Sequence, residues 1–341
     1  MTFTSSLKIR LFRTLIKEKY IFCNLYSTKP GYNVLFFGSD GIALKSLKKI
    51  NEFRISGTTI NRLDLVTTKH SKHRSVTEEY AQKENLKTIP WPLQNIQPAE
   101  YDIGLIVAFG HLIKDNVLEK FPMGMVNVHP SLLPRWRGAA PIIHTLMHGD
   151  EVTGVSLMRI KPNIFDVGEI ICQVKVPVAK DILLPELTDQ LSEMGADMLV
   201  DCMRTLPESL ANAKPQSLEG VTYAKKISKS ISDVRWSEMT SIEVYNLYRA
   251  IYGLYPLTTT FRNNQVKLFD AFLDSTEGSH NPVGTLEYCE STDAIKVLCK
   301  DRRYVYFRSL RIVGKKEITA LDFYNGYIKN MPVEKRKCIV I

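Results

Sequence analysis

The chain has 341 residues, 44% of them hydrophobic and 24% charged, an ordinary globular composition that is long enough for two domains and excludes a disordered, collagen-like or coiled-coil protein. No stretch approaches the roughly 20 consecutive apolar residues of a membrane-spanning helix, so a soluble chain with no membrane partner is expected. The 45 Lys and Arg against 36 Asp and Glu give a net charge of +9, a surplus that favours polyanionic partners only where the bases cluster in the folded part.

Residues 1–29 concentrate that charge. Lys8, Arg10, Arg13, Lys17, Lys19 and Lys29 face a single acid, Glu18, with Leu7, Ile9, Leu11, Phe12, Leu15 and Ile16 between them. A basic, acid-poor amphipathic segment of this kind reads as a mitochondrial transit peptide, whereas a secretory signal needs a longer uninterrupted apolar region. Setting aside its five net charges leaves about +4 on the rest of the chain. The six cysteines (Cys23, Cys172, Cys202, Cys289, Cys299 and Cys338) form no CxxC pair and no group with histidine at metal-ligand spacing. Free thiols in a reducing compartment are expected, with no metal and no disulfide framework.

Ordered structure is predicted to begin at Asn33–Phe37, an apolar run that ends in Gly38-Ser-Asp-Gly41 and is followed by Ile42, Leu44, Leu47 and Ile50 at helical spacing. This is the strand, glycine turn and helix that open a nucleotide-type α/β fold. The turn lacks the three glycines of a dinucleotide fingerprint, and no acid suited to a ribose follows the second strand, so it is read as a tight turn only. Further strands are predicted at Leu63–Thr67, Tyr101–Ala108 and Gly124–Val128, with helices at about Ser75–Glu84 and Leu187–Met203. Short apolar strands alternating with helices predict a parallel-rich sheet covered on both faces. Pro207 and Pro215 interrupt the periodicity after Thr205. A helix at Ile242–Ile251 and strands at Val266–Phe272, Ala294–Cys299 and Tyr304–Ile312 then follow. The expected organisation is an α/β fold with a Rossmann-like catalytic domain at 31–204, a linker at 205–230, and a smaller β domain at 231–341.

The stretch from Val126 to Ile142, VNVHPSLLPRWRGAAPI, carries the chemistry. Asn127 and His129 lie two apart at the end of an apolar strand, so both side chains face the same way at the carboxyl edge, where open α/β sheets bind ligands. An amide and an imidazole there suit acyl transfer to an amine: the amide donates to the oxygen that becomes negative, and the imidazole moves the amine proton. Pro130 and Pro134 bracket Ser131, Leu132 and Leu133 in a stiff loop that cannot be regular helix. Such a loop can grip a flat heterocycle through its backbone while the leucines pack on it.

The Asn-x-His pair followed by Ser-Leu-Leu-Pro resembles the 10-formyltetrahydrofolate-dependent formyltransferases, and the run SLLPRWRGAAPI at Ser131–Ile142 is most similar to those that act on methionyl-tRNA. FFGSDGIA at Phe36–Ala43, VAFGHLI at Val107–Ile113, NIFDVGEII at Asn163–Ile171 and TYAKKISK at Thr222–Lys229 extend the resemblance in the expected order from about Asn33 to Lys337. It implies that Asn127, His129 and Asp166 are catalytic, Asp166 matching the family's D-x-G-[DE] element and supporting the imidazole. It also implies folate contacts at Ser131, Leu132, Leu133 and Pro134, 10-formyltetrahydrofolate as co-substrate with no metal, an OB-like barrel at the C-terminus, and initiator methionyl-tRNA as partner of a monomeric enzyme in the mitochondrial matrix. Enzymes of the same chemistry that formylate a sugar nucleotide or glycinamide ribonucleotide, and a non-catalytic RNA-binding relative, are the alternatives. Two departures from the family stand out: Pro162-Asn-Ile-Phe165 is bulkier than expected beside a formyl group, and Lys69–Arg74 is shorter than the basic loop of bacterial members.

Two basic patches are candidate tRNA contacts. From Lys296 to Lys316 eight bases, Arg302, Arg303 and Arg308 among them, face only Asp301, with Tyr304, Tyr306 and Phe307 interleaved as expected surface aromatics. Lys69, Lys72 and Arg74 follow the second strand at the same edge as Asn127 and His129. Arg135 and Arg137 flank Trp136 and suit either acceptor-end contacts or structural anchors.

Overall fold

A computed structural model describes residues 31–68, 74–94, 96–274 and 278–339. The expected transit segment, Lys69 and Lys72 lie outside the described residues. Two compact units interleave along the chain: one comprises residues up to Pro134 with Val155–Val174 and Gln190–Val221, the other Arg135–Gly154, Lys175–Asp189 and Thr222–Ile341.

The first unit is built on β1 (Tyr32–Phe37), α1 (Gly41–Ser56), β2 (Ile60–Thr68), α2 (Val76–Lys83), β3 (Thr88–Trp91), β4 (Ile103–Val107) and β5 (Met125–His129). Later in the chain come β6 (Arg137–Gly138), α3 (Pro141–Met147), β7 (Val152–Arg159), β8 (Ile170–Pro177) and α4 (Leu184–Arg204). The sheet order is β3-β2-β1-β4-β5-β7-β8. Strands β1 to β5 pair in parallel, and β7 runs antiparallel to β5. The predicted parallel sheet is therefore extended at both sides by strands that the apolar-run pattern does not show. Strand β3 is four residues with a proline, and most of the β8 side chains are exposed.

Leu35, Phe37, Tyr101, Ile106, Phe109, Phe121 and Met125 belong to one buried cluster between the sheet and its connections. Entry into α1 follows from the turn: the Asp40 carboxylate accepts from Ala43 N–H at 2.9 Å as N-cap. A Cβ on Gly38 would lie 2.4 Å from Ala43 Cβ and 2.7 Å from Val107 O. Close packing accounts for that glycine. Ser75 and Glu78 form the capping box that starts α2.

In the second unit α5 (Ser241–Ile251) precedes an antiparallel sheet. After β9 (Tyr223–Ala224), which pairs with β6, its strands are β10 (Leu257–Phe261), β11 (Asn264–Leu273), β12 (Leu286–Cys289), β13 (Ala294–Leu298), β14 (Tyr304–Ile312), β15 (Ile318–Thr319) and β16 (Cys338–Ile339). The order is β12-β13-β14-β11-β10-β16, with β15 on β14. Leu286 N–H donates to Arg336 O and Cys338 N–H to Gly284 O, each at 2.8 Å, so the two ends of the sheet meet and the sheet closes into a barrel. Closure accounts for an error in the sequence reading: Tyr304, Tyr306 and Phe307 are 3%, 0% and 0% exposed and belong to the core. Over Tyr304–Phe307 consecutive residues of β14 are buried on both faces of the strand, Phe307 lying edge-on to Trp236. Among the described residues no helix is long and apolar enough to cross a membrane, and no group of three or more His, Cys, Asp or Glu side chains could hold a metal.

Candidate active site

Strand β5 sets the first two groups. Its pleat places Asn127 and His129 on one face at the carboxyl edge, with Asn127 half-buried and His129 4% exposed. Asn127 is held on both sides, paired with Ile106 of β4 and Met158 of β7, and His129 pairs with Ser156. Asp166 comes to this edge from the connection between β7 and β8, and its Oδ1 lies 3.5 Å from His129 Nδ1. The structure thus brings together the three residues picked out by sequence, with a carboxylate set against one ring nitrogen of the imidazole.

The Asp166 turn has an unusual backbone. Asn163 and Asp166 sit at φ +62° and +54°, in the left-handed region that costs a residue with a side chain about 1 kcal/mol or more. Gly168 follows because nothing larger fits: a Cβ there would lie 1.5 Å from Arg159 O. Asn163 N–H donates to Ile113 O at 3.0 Å, and its side-chain amide donates to Asp115 at 2.5 Å, tying the turn to the segment after β4. Ile164 and Phe165, the bulky residues noted in the sequence, project outward at 57% and 53% exposure.

The loop of Ser131–Pro134 differs from the expected loop with a free backbone. Ser156 Oγ donates to Ser131 O at 2.6 Å and accepts from Leu133 N–H at 3.0 Å. Gln173 Nε2 donates to Leu133 O at 2.9 Å and to Ser156 Oγ at 2.8 Å. Ser131 and Leu133 are buried, which leaves Leu132 and Pro134 half-exposed. Ser156 and Gln173 are two residues that sequence reasoning missed, each a lone polar residue in a strand with no motif around it.

A second missed feature is the aromatic group at the carboxyl ends of β3 and β4. Buried Phe109 packs edge-on to Trp91, with centroids 5.2 Å apart, and 5.0 Å from the exposed His111 ring. Leu133, Pro134, Ile170, Ile171, Gln173 and the segment 212–217 line a cavity of about 500 Å³.

The second unit answers the ambiguity at Arg135. Its guanidinium grips the Asp150 carboxylate with two hydrogen bonds of 2.7 and 2.5 Å, lies 4.2 Å above the Trp136 ring, and shares Asp150 with the indole N–H at 2.8 Å. Arg135 is an anchor. Arg302, Arg303 and Arg308 are exposed; Arg302 donates to Asn281 O at 2.8 Å, and Arg308 lies 4.6 Å over the Phe272 ring. Arg74 is exposed just beyond the carboxyl end of β2 and donates to Gln82.

Residues 61–203 match the Formyl transferase family and residues 226–328 its C-terminal domain. The mitochondrial methionyl-tRNA formyltransferase of Homo sapiens is 39% identical over 91% of this chain and 82% of its own length. The chain belongs to the methionyl-tRNA formyltransferase family. Another member, the mitochondrial enzyme of Rattus norvegicus, is 41% identical over 88% of this chain and 80% of its own length. The bacterial methionyl-tRNA formyltransferase of Syntrophus aciditrophicus is 35% identical over 69% and 73%. Among solved structures, the sugar 3N-formyltransferase WlaRD, determined with dTDP and 5-N-formyl-THF, superposes with a TM-score of 0.62 at 21% identity, covering 84% of this chain and 99% of WlaRD. HypX from Aquifex aeolicus with tetrahydrofolic acid gives 0.55 at 15% identity over 88% and 48%. At these identities the two structures share the fold of the family and no more.

Proposed function

We propose that this chain transfers the formyl group of 10-formyltetrahydrofolate to the α-amine of methionine on initiator tRNA in the mitochondrial matrix, making formylmethionyl-tRNA for translation initiation. The observation that carries the reading is the His129–Asp166 pair at 3.5 Å on the strand end that bears Asn127. The acceptor and the compartment are supported by the mitochondrial relatives at 39–41% identity.

In this reading Asn127 donates its amide to the formyl oxygen as that oxygen becomes negative. With Nδ1 turned to Asp166, Nε2 is the ring nitrogen that takes the proton from the attacking amine, and the carboxylate steadies the imidazolium that results. The C–N bond to methionine forms, the C–N bond to the folate breaks, and tetrahydrofolate leaves carrying the equivalent of the proton that His129 takes from the amine. The flat donor is held by Leu132 and Pro134, the half-exposed members of a loop that Ser156 and Gln173 fix through Ser131 and Leu133, and by the Trp91, Phe109 and His111 edge. The tRNA phosphates are met by Arg302, Arg303 and Arg308 on the barrel, and by Arg74 with Lys69 and Lys72.

The deciding experiment supplies labelled 10-formyltetrahydrofolate with initiator Met-tRNA, elongator Met-tRNA, glycinamide ribonucleotide or an amino-sugar nucleotide. Label is expected on initiator Met-tRNA. Formylation of a small nucleotide but not of Met-tRNA overturns the reading.

The barrel surface makes a separate prediction. Replacing Arg302, Arg303 and Arg308 with glutamine removes counterion release at those contacts, and each lost phosphate contact flattens the dependence of log affinity on log salt by about 0.9. Met-tRNA binding measured at several salt concentrations is expected to weaken with a shallower slope, at unchanged folate affinity and unchanged preference for initiator over elongator tRNA, because phosphate contacts carry no sequence information. Parallel salt lines remove this face from the interface.

A further inference from the structure

We propose, on the basis of the reading above, that Gln216 is a positioning residue for formyl transfer, holding the Asp166 turn so that the carboxylate stays against His129. Its side-chain Nε2 donates to Asp166 O at 3.0 Å and to Gly168 O at 2.8 Å. One amide therefore holds both the carbonyl of the functional residue itself and that of the glycine two residues on, using both of its protons.

The turn needs such a clasp. Asp166 and Asn163 occupy left-handed backbone conformations, which persist only when their surroundings hold them. The tip residues Ile164 and Phe165 are more than half exposed, so apolar packing does not hold the loop at that end. Further ties lie at its margins: Asn163 to Ile113 and Asp115 on one side, and Arg159 N–H to Glu169 O at 2.8 Å on the other. Gln216 bonds between them, at Asp166 and Gly168.

Gln216 is itself fixed in place. Two residues earlier Lys214 exchanges both backbone hydrogen bonds with Ile170, at 2.7 and 2.8 Å, so its segment is pinned to the start of β8 by an isolated antiparallel bridge. Pro215 between them stiffens the connection. What reads in the sequence as a linker is thus tied to β8 at Lys214 and to the Asp166 turn at Gln216. A charged isostere cannot replace the amide: the carboxylate of Gln216→Glu has no proton to donate and would face two carbonyl oxygens.

The test is a double-mutant cycle with Asp166→Asn, read as kcat and as KM for each substrate, alongside melting temperature. Gln216→Glu and the uncharged Gln216→Met are expected to lower kcat by about tenfold, with KM values within about twofold and melting temperature nearly unchanged; a 1 Å misplacement of a functional group commonly costs more than this. Because Gln216 acts through Asp166, adding either change to Asp166→Asn is expected to have almost no further effect. A full tenfold loss in the Asp166→Asn background, or a rise in KM at unchanged kcat, overturns the role of Gln216 and leaves that of Asp166 intact. If Asp166→Asn alone leaves kcat unchanged, both fall together. Loss of activity that tracks a lowered melting temperature in both Gln216 variants makes the contact merely structural and also overturns it.

Discussion

His129→Ala is expected to lower kcat by ~10²-fold or more while leaving the affinities for 10-formyltetrahydrofolate and Met-tRNA nearly intact, as for a general base that acts in the transition state. The structure favours a large effect because no other described titratable group is placed on that strand end with a carboxylate behind it. His129 is 4% exposed, so water does not readily take over its proton. Asn127→Ala is expected to act in the same way, since removal of one oxyanion donor typically costs 10²–10³ in kcat. Single-turnover formylation, with equilibrium binding measured on the same variants, separates the two quantities. The histidine change also leaves Asp166 buried beside a void, so His129→Gln is the volume-matched control: it should lose the same turnover with less loss of melting temperature. Binding and turnover that decline in proportion would make these residues structural and remove the chemistry assigned to them.

How much of this was legible in the sequence depends on whether a residue belongs to a pattern. The Asn127 and His129 pair could be read because alternation on an apolar strand fixes which side chains share a face. The helix expected at about Ser75–Glu84 is found as α2, and the structure shows the Ser75 and Glu78 capping box that starts it. Strands β3 and β8 were not legible: one is short and contains Pro90, and the other lies at the edge of the sheet with polar residues among its apolar ones. Ser156, Gln173 and Gln216 escaped for a different reason. Each is a single polar residue whose partner lies 17 to 50 positions away, and only the folded chain brings them together. The aromatic residues of β14 were misplaced because alternation predicts one exposed face, whereas this strand is covered on both over Tyr304–Phe307.

Gly168→Ala is expected to be the most damaging single methyl group that can be added to the catalytic unit. The added carbon would lie 1.5 Å from Arg159 O and 2.7 Å from Arg159 C, both backbone atoms of β7 that cannot swing aside as a side chain would. The turn must move instead, and three hydrogen bonds pass through it: Arg159 N–H to Glu169 O, and the two from Gln216. Asp166, two residues before, then leaves its place 3.5 Å from His129. Overpacking of this kind costs about 1–3 kcal/mol, which in a domain of this size lowers the melting temperature by several degrees. An ångström of displacement at the carboxylate is worth ~10²-fold in rate. The expected result is therefore a folded protein with a lower melting temperature, a kcat reduced by about 10²-fold, and folate affinity reduced far less. Gly41→Ala is the matched control, because nothing lies within 4 Å of a Cβ at that position and it is the first residue of α1; it should melt and turn over like the unaltered chain. Calorimetry and formylation rates on the two variants decide the matter. If Gly168→Ala behaves like Gly41→Ala in both, the turn accommodates the methyl group without moving Asp166, and the tight seat of that carboxylate on β7 is not what sets the rate.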